Sequence, residues 1–208
     1  MKIALIGSTG YVGSRLLAEA LEREHQVTAI VKNSNRLSLT HGNLKATLAD
    51  ASSAGELAAA IQGHDVVISA YNPGADSDGS VTQTIIDGVK RANVSRLLVV
   101  GGAGTLLLSS GERVVDQKDF PAEWKEGALR TARFLNQLQE EKQLDWVFLS
   151  PAAVLVPGER TGQYRVGKDH LLVDEAGASQ ISLEDYAVAM LDEAEQPQHH
   201  CQRYTVAY

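Results

Sequence analysis

The stretch Lys2-Ile3-Ala4-Leu5-Ile6-Gly7-Ser8-Thr9-Gly10-Tyr11-Val12-Gly13 decides the fold. Lys2–Ile6 is a short apolar run that reads as a buried strand, and it stops at Gly7. From Tyr11 to Glu24, Val12, Leu16, Leu17, Ala20 and Leu21 recur at helical spacing on one face. A strand that turns through glycines directly into a helix opens a β-α-β unit. The glycine spacing is G-x-x-G-x-x-G. Gly7 allows a tight turn, Gly10 lets the backbone approach an anion, and Gly13 lets the helix pack on the sheet. The first turn of a helix carries N–H groups without acceptors, and the helix dipole adds to their pull on a pyrophosphate. The same letters could form a glycine-rich turn that binds nothing, but the flanking strand and helix favour a phosphate cradle.

Downstream, the chain keeps alternating. Val27–Val31, Leu44–Leu48, Asp65–Ala70, Arg96–Val100, Trp146–Leu149 and Arg203–Ala207 read as strands. Ser53 followed by Glu56 is a capping box for a helix ending near Gln62, and Ser182 with Asp185 caps another that runs to about Glu195. Helices are also predicted over about Val81–Ala92 and Ala122–Lys142. Continuous apolar strands alternating with helices imply a parallel sheet covered on both faces, an α/β doubly wound fold of the Rossmann type. The segment Gly158–Gly177 breaks this rhythm. It reads as a small C-terminal hairpin lobe, pairing Gln163–Val166 with Leu171–Val173, beside one domain spanning residues 1–208.

The chain has 208 residues, 44% of them hydrophobic and 22% charged, which is ordinary globular composition. Lys and Arg total 19 against 26 Asp and Glu, a net charge of −7. An acidic surface disfavours nucleic acid and anionic membranes as partners but leaves room for a small anion held by a local cradle. Cys201 is the single cysteine, so no internal disulfide can form, which fits a reducing compartment. The apolar run before Gly7 is too short for a signal peptide core, and no run reaches membrane-spanning length. A cytoplasmic location is expected.

In dinucleotide folds the residues just past the second strand read the adenosine ribose, and a carboxylate there favours NAD. Here the strand runs into Lys32-Asn33-Ser34-Asn35-Arg36, with cations and no carboxylate. Lys32 and Arg36 can pair a 2′-phosphate, which leans toward NADPH with NADH as the alternative; they can equally be solvated surface cations. Asp50 can accept from an adenine amino group or sit at the front of the next helix. Asp76-Ser77-Asp78-Gly79 has the start of a calcium loop without its closing glutamate, so Tyr71–Ser80 reads as a solvated loop able to act as a lid. His199-His200-Cys201 does not match a zinc spacing and reads as surface, so no metal site is expected. Phe120 and Trp124 can line a pocket or pack a helix start.

Taken together, Gly7–Gly13, Asp50-Ala51, Val66–Ala70, Asp119–Trp124, Leu144–Ala153, Pro157–Gly162 and Ile181–Ala187 resemble the atypical short-chain dehydrogenase/reductases. Within them the chain is similar to the NADH-flavin reductase-like group and, more distantly, to biliverdin reductase B and NmrA-like proteins. The likeness spans essentially the whole chain. It implies a Rossmann domain with Ser8–Val12 at the phosphates, Lys32, Asn33 and Arg36 at the 2′ position, and Asp50 and Ala51 at adenine. It places Ser69, Ala70, Gly101, Gly102, Pro151, Ala152 and Val154 near ribose and nicotinamide.

One departure bears on the chemistry. The dehydrogenases proper carry Tyr-x-x-x-Lys on the helix after the fifth strand, where the lysine lowers the tyrosine pKa. The matching helix here reads Leu129-Arg-Thr-Ala-Arg133. Tyr164-Arg-Val-Gly-Lys168 matches in letters only, because it falls in the glycine-bounded segment. Reduction of a flavin or quinone needs no such proton donor, so the expected partner is a small acceptor of that kind. The rival reading is a non-catalytic NAD(P) sensor of the NmrA-like kind, which would bind both cofactor forms without turnover. An epimerase-like enzyme is a weaker third reading, since it also wants the missing tyrosine.

Overall fold

The computed structural model describes residues 1–33, 35 and 37–208. In chain order, β1 (Lys2–Ile6) leads through the glycine loop to α1 (Gly13–Glu22), then β2 (Gln26–Val31), β3 (Leu44–Leu48) and α2 (Ala54–Ile61). β4 (Val66–Ser69), α3 (Ser80–Arg91), β5 (Arg96–Val100), α4 (Ala122–Glu140) and β6 (Asp145–Ser150) follow. The chain then forms β7 (Val154–Val156), β8 (Arg165–Gly167), β9 (Gln180–Ser182), α5 (Leu183–Glu195) and β10 (Gln202–Ala207).

Eight strands make one sheet in the order β3-β2-β1-β4-β5-β6-β10-β8, parallel throughout except for β8 against β10. The strands are apolar on both faces because helices cover both. Ile3 and Leu5 pack with Leu16 and Leu17 of α1 and Tyr186 and Met190 of α5. Ala4 and Ile6, one residue out of phase, pack with Leu57 of α2, Ile86 of α3 and Phe134 of α4. The strand order reverses between β1 and β4, which opens a crevice at their carboxyl ends where such folds bind ligands.

The caps work as their sequence suggests, with one change. Ser53 Oγ accepts from Glu56 N at 3.4 Å, but the Glu56 carboxylate accepts from Asp50 N, three residues upstream of the cap. Helix α1 begins at Gly13, two residues later than its periodicity suggests, because Tyr11 and Val12 stay in the glycine loop. His64, which sequence leaves without a partner, lies within 2.7 Å of Thr28 Oγ1.

The segment 158–177 closes one edge of the sheet but does not pair with itself. Arg165–Gly167 joins β10, and Leu171 N donates to Leu107 O at 2.9 Å instead of to the expected hairpin limb. The Leu172 side chain packs on Gly167, where a Cβ would lie 2.9 Å from its Cδ2. β7 and β9 form a separate two-stranded parallel sheet that no sequence signal announced. The loop 71–80 also differs from the expected solvated lid. The Asp76 carboxylate is buried and accepts from Val81 N and Thr82 N at the start of α3. Arg133 of α4 donates to Ser77 O at 2.6 Å and Gln137 to Gly79 O at 2.8 Å, so the loop is fastened to α4. No described helix is long and apolar enough to cross a membrane.

Candidate functional site

The glycine loop is built by close backbone contacts. Gly7 has φ +79°, and a Cβ there would lie 2.6 Å from Ala70 O at the end of β4. At Gly13 a Cβ would fall 2.0 Å from Gly7 O, which brings the start of α1 against the end of β1. Gly10 is different: it is exposed, and its added Cβ would meet only Gly7 O, at 3.2 Å. Helix α1 has no side-chain cap and no acidic residue in its first turn. Among the described residues, the N–H groups of Tyr11, Val12 and Gly13 have no protein acceptor, and the buried Ser8 Oγ has no partner. Orphaned donors at a positive helix end fit a pyrophosphate.

A cavity of ≈ 440 Å³ adjoins this loop, walled by Ile6, Ile30, Val31, Ala49, Ala51 and Tyr71. Lys32 and Asn33 stand at its rim. The structure brings Lys32 and Asp50 together, with Nζ 2.9 Å from Oδ1, although sequence gave them separate tasks. The Ser52 hydroxyl and N–H also donate to Asp50, at 2.7 and 2.8 Å, and with Lys32 they hold its carboxyl down at about 2. Asn33 Oδ1 accepts from Asn35 N at 2.9 Å, and Arg36 lies outside the described residues. Tyr71 is a wall that sequence reasoning missed. Its place one residue past Ala70, at the carboxyl end of β4, was the available signal. Burial, together with Asp76 and Asp50, pushes its hydroxyl pKa up.

The remaining candidates lie at the carboxyl ends of β4, β5 and β6. Ser69 is fully buried and Ala70 N donates to Ile6 O, so both shape the crevice from beneath. Gly101 has no room for a side chain, since a Cβ would meet the Phe148 ring at 2.4 Å. Pro151 and Ala152 are buried, while Gly102 and Val154 border a second cavity of ≈ 510 Å³. Phe120 and Trp124, at the start of α4, line it. Gln117, Asp119 and Thr131 supply its polar edge. Sequence missed these three because they come from a loop and a helix that meet only in the fold.

Several titratable groups outside the two cavities are occupied. Tyr164 donates to Asp192 at 2.6 Å, and Tyr186, fully buried, donates to Leu149 O at 2.7 Å. Burial pushes both phenols well above their ordinary range, and neither lines the two cavities. Asp116 pairs with Arg113 at 2.6 Å. His199 is stacked on Tyr204 and bonded to Glu193 at 2.7 Å, and His200 is 2.9 Å from Asp145. A further cavity of ≈ 340 Å³ beside α1 is lined by Glu22 and by two ion pairs, Arg15 with Glu184 and Arg160 with Glu19.

The crevice, the orphaned donors and the apolar cavity beside them are features of a dinucleotide site. A family model described as NAD(P)H-binding matches residues 7–197. The chain belongs to this NAD(P)H-binding family. It is 50% identical to a proposed epimerase from Bacteroides thetaiotaomicron, whose crystal structure superimposes with a TM-score of 0.95 over 100% of this chain and 96% of that one. A proposed NADH-flavin reductase from Streptococcus pneumoniae is 32% identical, with a TM-score of 0.85 over 100% and 99% of the two chains. The uncharacterized protein YwnB of Bacillus subtilis (strain 168) is 38% identical over 218 residues, covering 99% of this chain and 98% of its own. This NAD(P)H-binding protein thus has a reductase-like fold and a crevice suited to a nicotinamide cofactor.

Proposed function

We propose that the chain is an NAD(P)H-dependent reductase of a flavin- or quinone-type acceptor. One observation carries the reading. A second, aromatic cavity is bordered by Gly102 and Val154 at the same carboxyl edge of the sheet, and its described lining residues include no Tyr, His or Lys. A ketone or sugar substrate needs a proton partner in that position, whereas a flavin or quinone takes its proton from water. For the same reason an epimerase is disfavoured, despite the name of the Bacteroides relative.

In this reading the N–H groups of Tyr11, Val12 and Gly13 hold the pyrophosphate, and Ser8 Oγ gives one further donor. Ala51 and Tyr71 flank the adenine, with Asp50 beside it. Lys32, oriented by Asp50, meets the 2′-phosphate and favours NADPH over NADH. When bound, the reduced nicotinamide supplies a hydride equivalent. Gly101, Gly102, Pro151, Ala152 and Val154 orient that ring, while Phe120 and Trp124 hold the acceptor flat and exclude water. The protein contributes position rather than acid–base chemistry. Its lone cysteine supports a reducing compartment, the cytoplasm.

The test is direct. Purified protein is mixed with NADPH and a panel of riboflavin, FMN and quinones, and the nicotinamide absorbance is followed. Acceptor-dependent oxidation is expected. Binding of both cofactor forms with no turnover on any acceptor would refute the reading and favour a sensor.

A further inference from the structure

Accepting the reductase reading for this site, we propose that its acceptor cavity selects planar rings without a phosphate, taking riboflavin over FMN. The argument is the charge distribution. Of the residues that line the ≈ 510 Å³ cavity, Asp119 alone is charged, and no Lys, Arg or His is among them. Two arginines of the flanking segments are engaged, while Lys118 and Lys125 are exposed and do not line the cavity. Arg113 is bound to Asp116 at 2.6 and 2.9 Å. Arg130 is held by Glu126 and Gly74 O. The cofactor cavity, by contrast, has Lys32 at its rim and bare helix N–H groups beside it. The helix donors and Lys32, shared with Asp50, therefore belong to the cofactor cavity, whereas a carboxylate lines the second one.

Phe120 and Trp124 favour a flat aromatic ring whatever its tail carries. A phosphate monoester adds up to about two negative charges, which meet Asp119 with no counter-charge in the cavity. Across a partly solvated gap, that repulsion weakens binding by roughly threefold to tenfold.

Protein saturated with NADP⁺ is titrated with riboflavin and with FMN, and quenching of flavin fluorescence gives each Kd. Riboflavin is expected to bind about threefold to tenfold tighter, with the ratio shrinking as salt is raised. Asp119→Lys should bring the ratio to one or invert it. FMN binding as tightly as riboflavin, or neither flavin quenching, overturns the proposal. The salt series decides the matter even if the variant fails to fold. NADPH oxidation is measured separately. A riboflavin preference without turnover sinks the reductase reading and leaves the selectivity, while turnover with equal Kd values does the reverse.

Discussion

Gly10→Ala separates binding from folding more cleanly than any other change in the loop. The new Cβ meets one atom, Gly7 O at 3.2 Å, so the fold must give by only a few tenths of an ångström. Gly10 does not have positive φ, so alanine suits its backbone. The gain from restricting the unfolded chain, about 0.4–1 kcal/mol, offsets most of that crowding. For a domain of this size, 1 kcal/mol moves Tm by about 2–4 °C, so Tm should change by no more than about 4 °C. The methyl nevertheless stands on the exposed side of the cradle, where a pyrophosphate must approach the N–H groups of Tyr11 and Val12. Each hydrogen bond to a charged group contributes about 1.5–3 kcal/mol. Losing one weakens NADPH by roughly tenfold to 150-fold. Isothermal titration gives the Kd and thermal denaturation gives the Tm. An unchanged Kd would remove the glycine loop from the binding site, and a Tm lowered by about 10 °C would make Gly10 structural.

Three further outcomes follow from the geometry. Lys32→Asp should shift the NADPH-to-NADH affinity ratio toward NADH in paired titrations, and a preserved ratio would mean that Lys32 is a solvated cation. Asp50→Asn should release Lys32 from the 2.9 Å contact that orients it and weaken NADPH by a few-fold, about 1 kcal/mol, whereas tighter binding would mean that the carboxylate competes with the 2′-phosphate for Lys32. Asp185→Asn should cost about 1–3 kcal/mol in urea denaturation, because the buried carboxylate accepts from Thr161 Oγ1, Gly162 N and Tyr208 OH. Burial alone would raise the Asp185 carboxyl, but those donors hold it below 3.8. Its contribution is therefore full above that value and lost as pH falls through the lower folded value, so the variant should show a shallower acid limb.

What sequence revealed was local. The glycine loop, the Ser53 and Ser182 caps and the central strands are written in contiguous residues, so their positions were legible within a residue or two. The edge of the sheet was not. Three-residue β8 alternates and is bounded by glycines like a hairpin limb, yet its partner lies in β10, beyond the whole of α5. The site divides the same way. The phosphate cradle is one stretch, whereas the aromatic cavity joins Gly102, Asp119, Thr131 and Val154 from four separate segments. The Lys32–Asp50 pair escaped notice because β2 and β3 bring together residues that sequence judged one at a time.

The place of β10 also orders events at the ribosome. β8 hydrogen-bonds only to β10, yet it emerges about 35 residues earlier. At about 5–20 residues per second, it waits roughly 2–7 s with its edge unpaired. During that interval β1 to β6, which pair with one another without β10, leave the edge of β6 unpaired. A nascent chain stalled before Gln202 should therefore hold the cofactor crevice but expose a strand edge to chaperones. Assembly of the binding crevice and closure of the sheet are separable in time.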